Sequence, residues 1–278
     1  MERGVQEQLS CVGISHLENA MRYLLRRLPL FALALPMMGL AGAGEELVRQ
    51  TIDSKGVKIS YVVAGKGEPV VLIHGLYSSV VMNWQLPGTL EQLAKNYQVV
   101  AIDMPGHGNS DKPEKDDAYG LAMVDDVIAV MDELKIKKAH IVGYSMGGMI
   151  ALKLISKYPD RAISGTLGGM GMMKEGGVLQ KVWEDILGKG KGGTVPPACI
   201  KGFGKFALTD DEVKAIKTPV CVLVGDRDPC RKMYVDPLHT LRDDIPIVEI
   251  QDAGHLICIT KPQFKDELKK WIDKNAGK

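Results

Sequence analysis

Gly143-Tyr144-Ser145-Met146-Gly147 is a G-x-S-x-G pattern. Such a run makes a tight strand-to-helix turn that lifts the serine hydroxyl above a sheet and leaves no room for side chains at its flanks. A serine hydroxyl is a poor nucleophile at neutral pH. It needs a histidine to take its proton and a carboxylate to fix the histidine's tautomer. His255 follows the last strand-like run, and Asp228 follows the run before it, within Gly225-Asp226-Arg227-Asp228. The chain order Ser, Asp, His is one in which such triads occur. Asp226 is the competing acid. Asp228 is favoured because it stands farther past the strand end, where the loop turns toward the histidine. An acyl transfer through Ser145 also needs backbone donors for the oxyanion. Met146, at the start of the helix, supplies one N–H, and Leu76, in the turn His74-Gly75-Leu76, supplies the other.

The remaining chemistry-bearing residues read as support. His74 belongs to the oxyanion turn, His107 to a loop and His140 to a strand. No HExxH or paired-histidine spacing and no CxxC pair occurs, so no metal site is expected. The run 188–193, GKGKGG, fits a dinucleotide fingerprint in letters only. It follows a helix-like segment instead of a strand, so it reads as a flexible loop and no cofactor is expected. Lys174, Lys181, Lys189, Lys191, Lys201 and Lys205 form a solvated surface or attract acidic substrates. Met104, Met146, Met149, Met170, Met172 and Met173 fill the core or line an adaptable apolar pocket.

The elements that must position these residues follow from hydrophobic pattern. Strands are expected at 46–52 and 57–63, joined by a turn at Ser54-Lys55-Gly56, and then at 69–73, 98–102, 139–143, 162–167, 219–224 and 246–250. Helical periodicity runs over 121–134, 146–158 and 262–275, the last with Pro262 in its first turn. Strands alternating with helices imply right-handed crossovers and a mostly parallel sheet with helices on both faces. In such an α/β sheet chemistry gathers at the carboxyl ends of the strands. His74, Asp103, Ser145, Asp226, Asp228 and His255 all fall there. Residues 170–216, rich in Gly, Lys and Met, break the alternation. They read as an insertion over the active edge, against the alternative of a long surface loop with a helix or two.

Taken together, His74-Gly75, the run DMPGHGNS at 103–110, GYSMGG at 143–148, GDRDP at 225–229 and AGH at 253–255 resemble the α/β-hydrolase family, in order over roughly residues 46–275. The resemblance implies an eight-stranded, mostly parallel sheet with a helical cap between strands six and seven. It also implies Ser145, Asp228 and His255 as a triad. Relatives that open epoxides or remove halides carry Asp at the elbow, so Ser145 points away from them. The family's cap is often much longer than 170–216. The expected function is a serine hydrolase acting on a carboxylic ester or related acyl bond through an acyl-enzyme. The alternatives are a lactonase, a carbon–carbon bond hydrolase, a perhydrolase or an acyltransferase with the same triad. A ligand-binding receptor on the same fold is the alternative from another class.

Composition agrees with an enzyme of small molecules. The chain has 278 residues, with 35 Lys and Arg against 34 Asp and Glu, and 5% aromatics. That balance gives no electrostatic case for nucleic acid and no stacking surface for bases. Residues 21–43 combine Arg22, Arg26 and Arg27, an apolar run from Leu28 to Leu40 and the small residues Ala41-Gly42-Ala43. This is the order of a signal peptide. The expected organisation is therefore a leader over 1–43, with Met21 as a candidate start, and a hydrolase domain over 44–278. Export to the periplasm or medium is expected, without a membrane span once the leader is removed. An uncleaved anchor or an organelle transit peptide is the alternative. Export permits disulfides. Cys230 and Cys258 each follow a late strand and could pair, whereas Cys221 reads as a buried thiol.

Overall fold

Each apolar run bounded by turn residues forms a strand in the computed structural model, which describes residues 48–187 and 194–277. The expected leader at 1–43, with Met21, and the GKGKGG run at 188–193 lie outside those residues. The strands are β1 (Arg49–Ser54), β2 (Val57–Ala64), β3 (Pro69–Ile73), β4 (Gln98–Asp103), β5 (Ala139–Tyr144), β6 (Ala162–Gly168), β7 (Val220–Gly225) and β8 (Ile247–Ile250). They make one eight-stranded sheet in the order β1-β2-β4-β3-β5-β6-β7-β8. β1 and β2 pair antiparallel, as do β2 and β4, and the pairs from β4 through β3 to β8 are parallel. The hairpin between β1 and β2 turns on Lys55 and Gly56, with φ of 54° and 82°. Positive φ at both central positions is the turn whose twist matches that of the flanking strands.

The helices are α1 (Thr89–Ala94), α2 (Leu121–Glu133), α3 (Met146–Lys157), α4 (Val178–Lys181), α5 (Pro197–Gly202), α6 (Asp210–Ala215), α7 (Asp236–Leu241) and α8 (Pro262–Asn275). The three helices legible in the periodicity are α2, α3 and α8. The central strands are buried on both faces, which is why they read as unbroken apolar runs rather than alternating ones. Val70 and Leu72 of β3 join Trp84, Leu90 and Leu93 and, from α8, Phe264, Leu268 and Ile272 in one core. Val71 and Ile73 point to the opposite face and are equally buried. There α3 packs on β3, β5 and β6.

Residues 170–216 lie between β6 and β7 and carry α4, α5 and α6. The segment packs on the carboxyl ends of the strands: Gly106, after β4, lies against Pro196, and Gly202 lies against Tyr119 and Gly120. It also contains a backbone bridge between Lys174 and Leu208. Lys174 and Lys201 pair on its surface with Asp210 and Asp116.

One buried carboxyl lies away from these ends. Asp126 of α2 accepts a hydrogen bond from Ser54 Oγ at 2.5 Å, and burial pushes its pKa up to about 6. The folded state therefore binds more protons than the unfolded chain between pH 3.8 and about 6. Stability is lost as the pH rises through that window. Asp126→Asn keeps an oxygen for Ser54 and removes the buried charge. It is expected to stabilise the protein by about 2 kcal/mol at pH 8 and to change little near pH 4. Thermal unfolding at the two pH values measures this, and a lower midpoint for the variant at pH 8 would refute it.

Candidate active site

Ser145 sits between β5 and α3 with φ 53° and ψ −115°, a conformation that L-residues rarely adopt. The flanking glycines make that turn possible. A Cβ on Gly143 would lie 1.9 Å from the Gly147 carbonyl oxygen, and one on Gly147 would lie 2.1 Å from the Ile73 carbonyl oxygen. The glycines are therefore required by space.

Three chain segments meet at the hydroxyl. His255 Nε2 lies 2.9 Å from Ser145 Oγ. His255 Nδ1 lies 2.8 Å from Asp228 Oδ2. The other carboxylate oxygen of Asp228 accepts the Cys230 N–H at 2.8 Å. Asp228 and His255 are buried, and Ser145 is half-buried. Asp226, the competing acid, is exposed and accepts the N–H groups of Asp252 and Ala253 at 3.1 and 2.9 Å. It braces the loop that carries His255 and does not reach the ring.

The two expected oxyanion donors are the residue after the serine and a residue of the turn that runs beside it. Met146 is the first residue of α3, where an N–H has no acceptor within the helix. In the turn, the Gly75 N–H is taken by Asn83 Oδ1 at 2.7 Å, which leaves the Leu76 N–H as the next donor there. A Cβ on Gly75 would stand 3.3 Å from Ser145 Cβ, so this turn runs directly beside the nucleophile.

A buried polar layer holds the turn. His74 Nε2 accepts the Met104 N–H at 3.0 Å, so the ring proton resides on Nδ1 and is donated to the Gly75 carbonyl at 2.8 Å. Burial keeps His74 below the ordinary histidine pKa. His107 stacks edge-on against His74, with ring centroids 5.1 Å apart, and burial pushes it down to about 3. Both rings are neutral supports. Asp103 accepts the Val80 N–H at 2.8 Å, the Asn109 N–H at 3.1 Å and Arg49 Nη1 at 2.9 Å. His140 bonds Ser164 and Glu68 near the amino end of β5, remote from this edge.

Known proteins share this fold. Residues 68–183 match the family model for the alpha/beta hydrolase fold. The chain is 25% identical to a solved meta-cleavage product hydrolase from Pseudomonas fluorescens, with a TM-score of 0.65 over 81% of this chain and 97% of that one. The chain has the α/β-hydrolase fold. It is 35% identical over 142 residues to 2-hydroxymuconate semialdehyde hydrolase of a Pseudomonas species, covering 49% of each chain. It is 25% identical over 250 residues to an uncharacterized carboxylesterase of Bacillus subtilis, covering 75% of this chain and 81% of the relative. The alignments to the first two curated relatives span 33% and 49% of those proteins.

Several residues of this α/β-hydrolase site carry no signal in the sequence. Tyr144, the variable position of the elbow, donates its buried hydroxyl to the His255 carbonyl oxygen. Its ring packs 5.7 Å from both His255 and Phe264. Asn83 and Arg49 act from 62 and 96 residues before Ser145, and no local pattern marks them. Gly169, at φ 59°, follows β6, and a Cβ there would stand 3.1 Å from Asp228 Oδ2 and 3.2 Å from His255 Nδ1.

The pairing of Cys230 with Cys258 does not form. Both are free, buried thiols. Cys258 lies beside the Tyr144 hydroxyl, whereas Cys230 faces Asp228 and His255, so each sulfur is directed at a different group. Cys221 is a buried thiol in β7, 3.8 Å from Thr166 Oγ1. The six methionines named above are all buried.

Proposed function

We propose that this chain is a serine hydrolase that cleaves a carboxylic ester or related acyl bond of a small molecule. The observation that carries this reading is the continuous Ser145–His255–Asp228 chain, at 2.9 and 2.8 Å, ending on a strained elbow serine. In the mechanism, Ser145 Oγ attacks the acyl carbon as His255 Nε2 takes its proton. Asp228 holds the Nδ1–H and stabilises the imidazolium that forms. The N–H groups of Met146 and Leu76 face the oxyanion. The imidazolium then returns its proton to the departing alkoxide, which leaves as the alcohol. Water, deprotonated by the same ring, releases the acid.

The pH dependence follows from the ring's surroundings. Burial opposes a charge on His255, but its neighbours, Asp228 on Nδ1 among them, outweigh burial and raise its pKa well above the ordinary 6.5. The neutral ring is the base, so kcat/KM is expected to rise with pH along a limb centred above 6.5. A profile with its ascending limb below that value contradicts this expectation.

The direct test is hydrolysis of p-nitrophenyl esters from acetate to dodecanoate, together with fluorophosphonate labelling. Turnover that peaks at one acyl length, with the label on Ser145, supports the assignment. The likeness to 2-hydroxymuconate semialdehyde hydrolase favours a second reading, a hydrolase of non-ester substrates using the same triad. Labelling of Ser145 without turnover of any ester selects it. Absence of both label and turnover selects the receptor.

A further inference from the structure

We propose that Asp228, Cys230 and His255 form a binding site for a soft divalent cation such as Zn²⁺, and that filling it switches hydrolysis off. The three side chains offer a carboxylate oxygen, a sulfur and a ring nitrogen, all within 4.8 Å of one another. Among the described residues they are the one such group of three or more. Nitrogen, sulfur and oxygen donors are the set that zinc takes. Donors on one tetrahedral zinc lie roughly 3.5 Å apart, so closing on the ion takes side-chain movement of about an ångström. Just after β6, Gly169 puts no side chain against the Asp228–His255 bond, where a Cβ would stand 3.1 Å from Asp228 Oδ2 and 3.2 Å from His255 Nδ1.

Charge favours the occupied state. Asp228, Cys230 and His255 are 4%, 3% and 8% exposed. With the ring neutral and no cation bound, the cluster holds one buried negative charge, on Asp228. A divalent cation with Asp228 and the Cys230 thiolate sums to zero, and a buried group without net charge escapes most of the desolvation cost. Cys230 ligates a metal as the thiolate, so the thiolate forms together with the metal. The thiol proton goes to solvent, as in thiolate metal sites generally.

The consequence for hydrolysis follows from the ring's single proton. His255 Nδ1 faces Asp228. A cation bound to Nδ1 displaces the proton from that nitrogen, and the neutral ring carries it on Nε2 instead. Nε2 then has no lone pair for the Ser145 proton. From the neutral ring the atoms balance with one proton leaving Cys230 for water and one moving between the two ring nitrogens; from the protonated ring the Nδ1 proton also leaves for water and Nε2 keeps its own. This step rests on His255 acting as the base, whereas binding of the cation does not.

The test is a Cd²⁺ titration of the full chain, following the ultraviolet thiolate-to-cadmium charge-transfer band, with Zn²⁺ as competitor. The expected result is a band that saturates at one equivalent. Cys230→Ala and His255→Ala should each weaken binding by at least about tenfold, since loss even of an outer-shell partner costs that much. Ser145→Ala should bind as the parent does, which separates this test from the test of hydrolysis. Zn²⁺ should also inhibit ester turnover in the parent. Cys230→Ala, measured against its own metal-free rate, should need at least about ten times more. An undiminished band in Cys230→Ala would assign the thiolate to Cys11, Cys199, Cys221 or Cys258 and overturn the site. Unchanged affinity in His255→Ala would do the same, and this variant decides the matter even if Cys230→Ala fails to fold. Cadmium binding with the expected losses, in a protein that hydrolyses no ester, upholds the site and overturns only its regulatory role.

Discussion

Ser145→Ala is expected to lower ester turnover by roughly four to six powers of ten while leaving the fold intact. The size follows from what the hydroxyl does. With Oγ removed, His255 Nε2 loses its 2.9 Å partner and no group on the protein can form the acyl-enzyme. The residual rate comes from water attacking a substrate still held by the oxyanion donors. The fold survives because alanine meets the same backbone requirement as serine. Position 145 has φ 53°, and both residues carry a Cβ there, so the substitution adds no strain. The variant should therefore unfold at the parent's midpoint to within about 2 °C. Steady-state turnover and thermal unfolding of the same preparation check both halves. A rate within tenfold of the parent's would remove Ser145 from the mechanism, and a collapsed midpoint would mean that activity was lost through folding.

How much of this site was legible depended on the kind of constraint behind each residue. Ser145 was legible because its turn excludes side chains from positions 143 and 147, which forces glycine into fixed places around it. Asp228 and His255 were legible because they follow apolar runs that are buried on both faces, and chemistry in such sheets lies at the strand ends. The choice between Asp226 and Asp228 was open, since both lie past the end of β7. What separates them is where the loop turns: Asp226 meets the backbone of Asp252 and Ala253, and Asp228 meets the ring. Tyr144, Asn83 and Gly169 were not legible. Their partners are distant in sequence, and nothing local distinguishes a tyrosine that caps a histidine carbonyl from one that only fills space. The insertion at 170–216 was legible as an interruption and not as a structure. Its elements α4, α5 and α6 are four to six residues long, too short for a hydrophobic period to stand out. The cysteines failed for a related reason. Strand-end positions brought Cys230 and Cys258 to one neighbourhood, but side-chain direction sets pairing, and sequence does not carry it.

Asp103→Ala is expected to destabilise the protein by on the order of 3–5 kcal/mol and to slow hydrolysis in the fraction that still folds. Asp103 ends β4, the side chain is fully buried, and its charge faces the Arg49 guanidinium, which is 31% exposed. Burial alone would raise this carboxyl, but the N–H groups of Val80 and Asn109 outweigh it and hold the pKa below the ordinary carboxylate value. Each of those donors is left without its acceptor in the alanine variant, and a buried unsatisfied N–H costs about 1–3 kcal/mol. For a chain of this size a loss of that magnitude lowers the unfolding midpoint by roughly 10 °C. The sign of the pH dependence is set by the depressed pKa. The contribution of Asp103 is present above the unfolded carboxylate value of 3.8 and is lost as the pH falls through the lower folded value. The gap between parent and variant should accordingly be full at pH 7 and should narrow in acid. The effect on rate has a separate cause. The Val80 N–H that Asp103 accepts lies four residues beyond Leu76, on the segment that carries one oxyanion donor. Loss of that anchor loosens the donor, so kcat should fall while KM changes little, because the interaction is made mainly in the transition state. Asp103→Asn keeps one acceptor oxygen and should fall between parent and alanine variant on both measures. If the alanine variant unfolds at the parent's midpoint, Asp103 does not anchor this edge of the sheet. If its midpoint falls and kcat is unchanged, the anchor serves the fold and not the oxyanion turn.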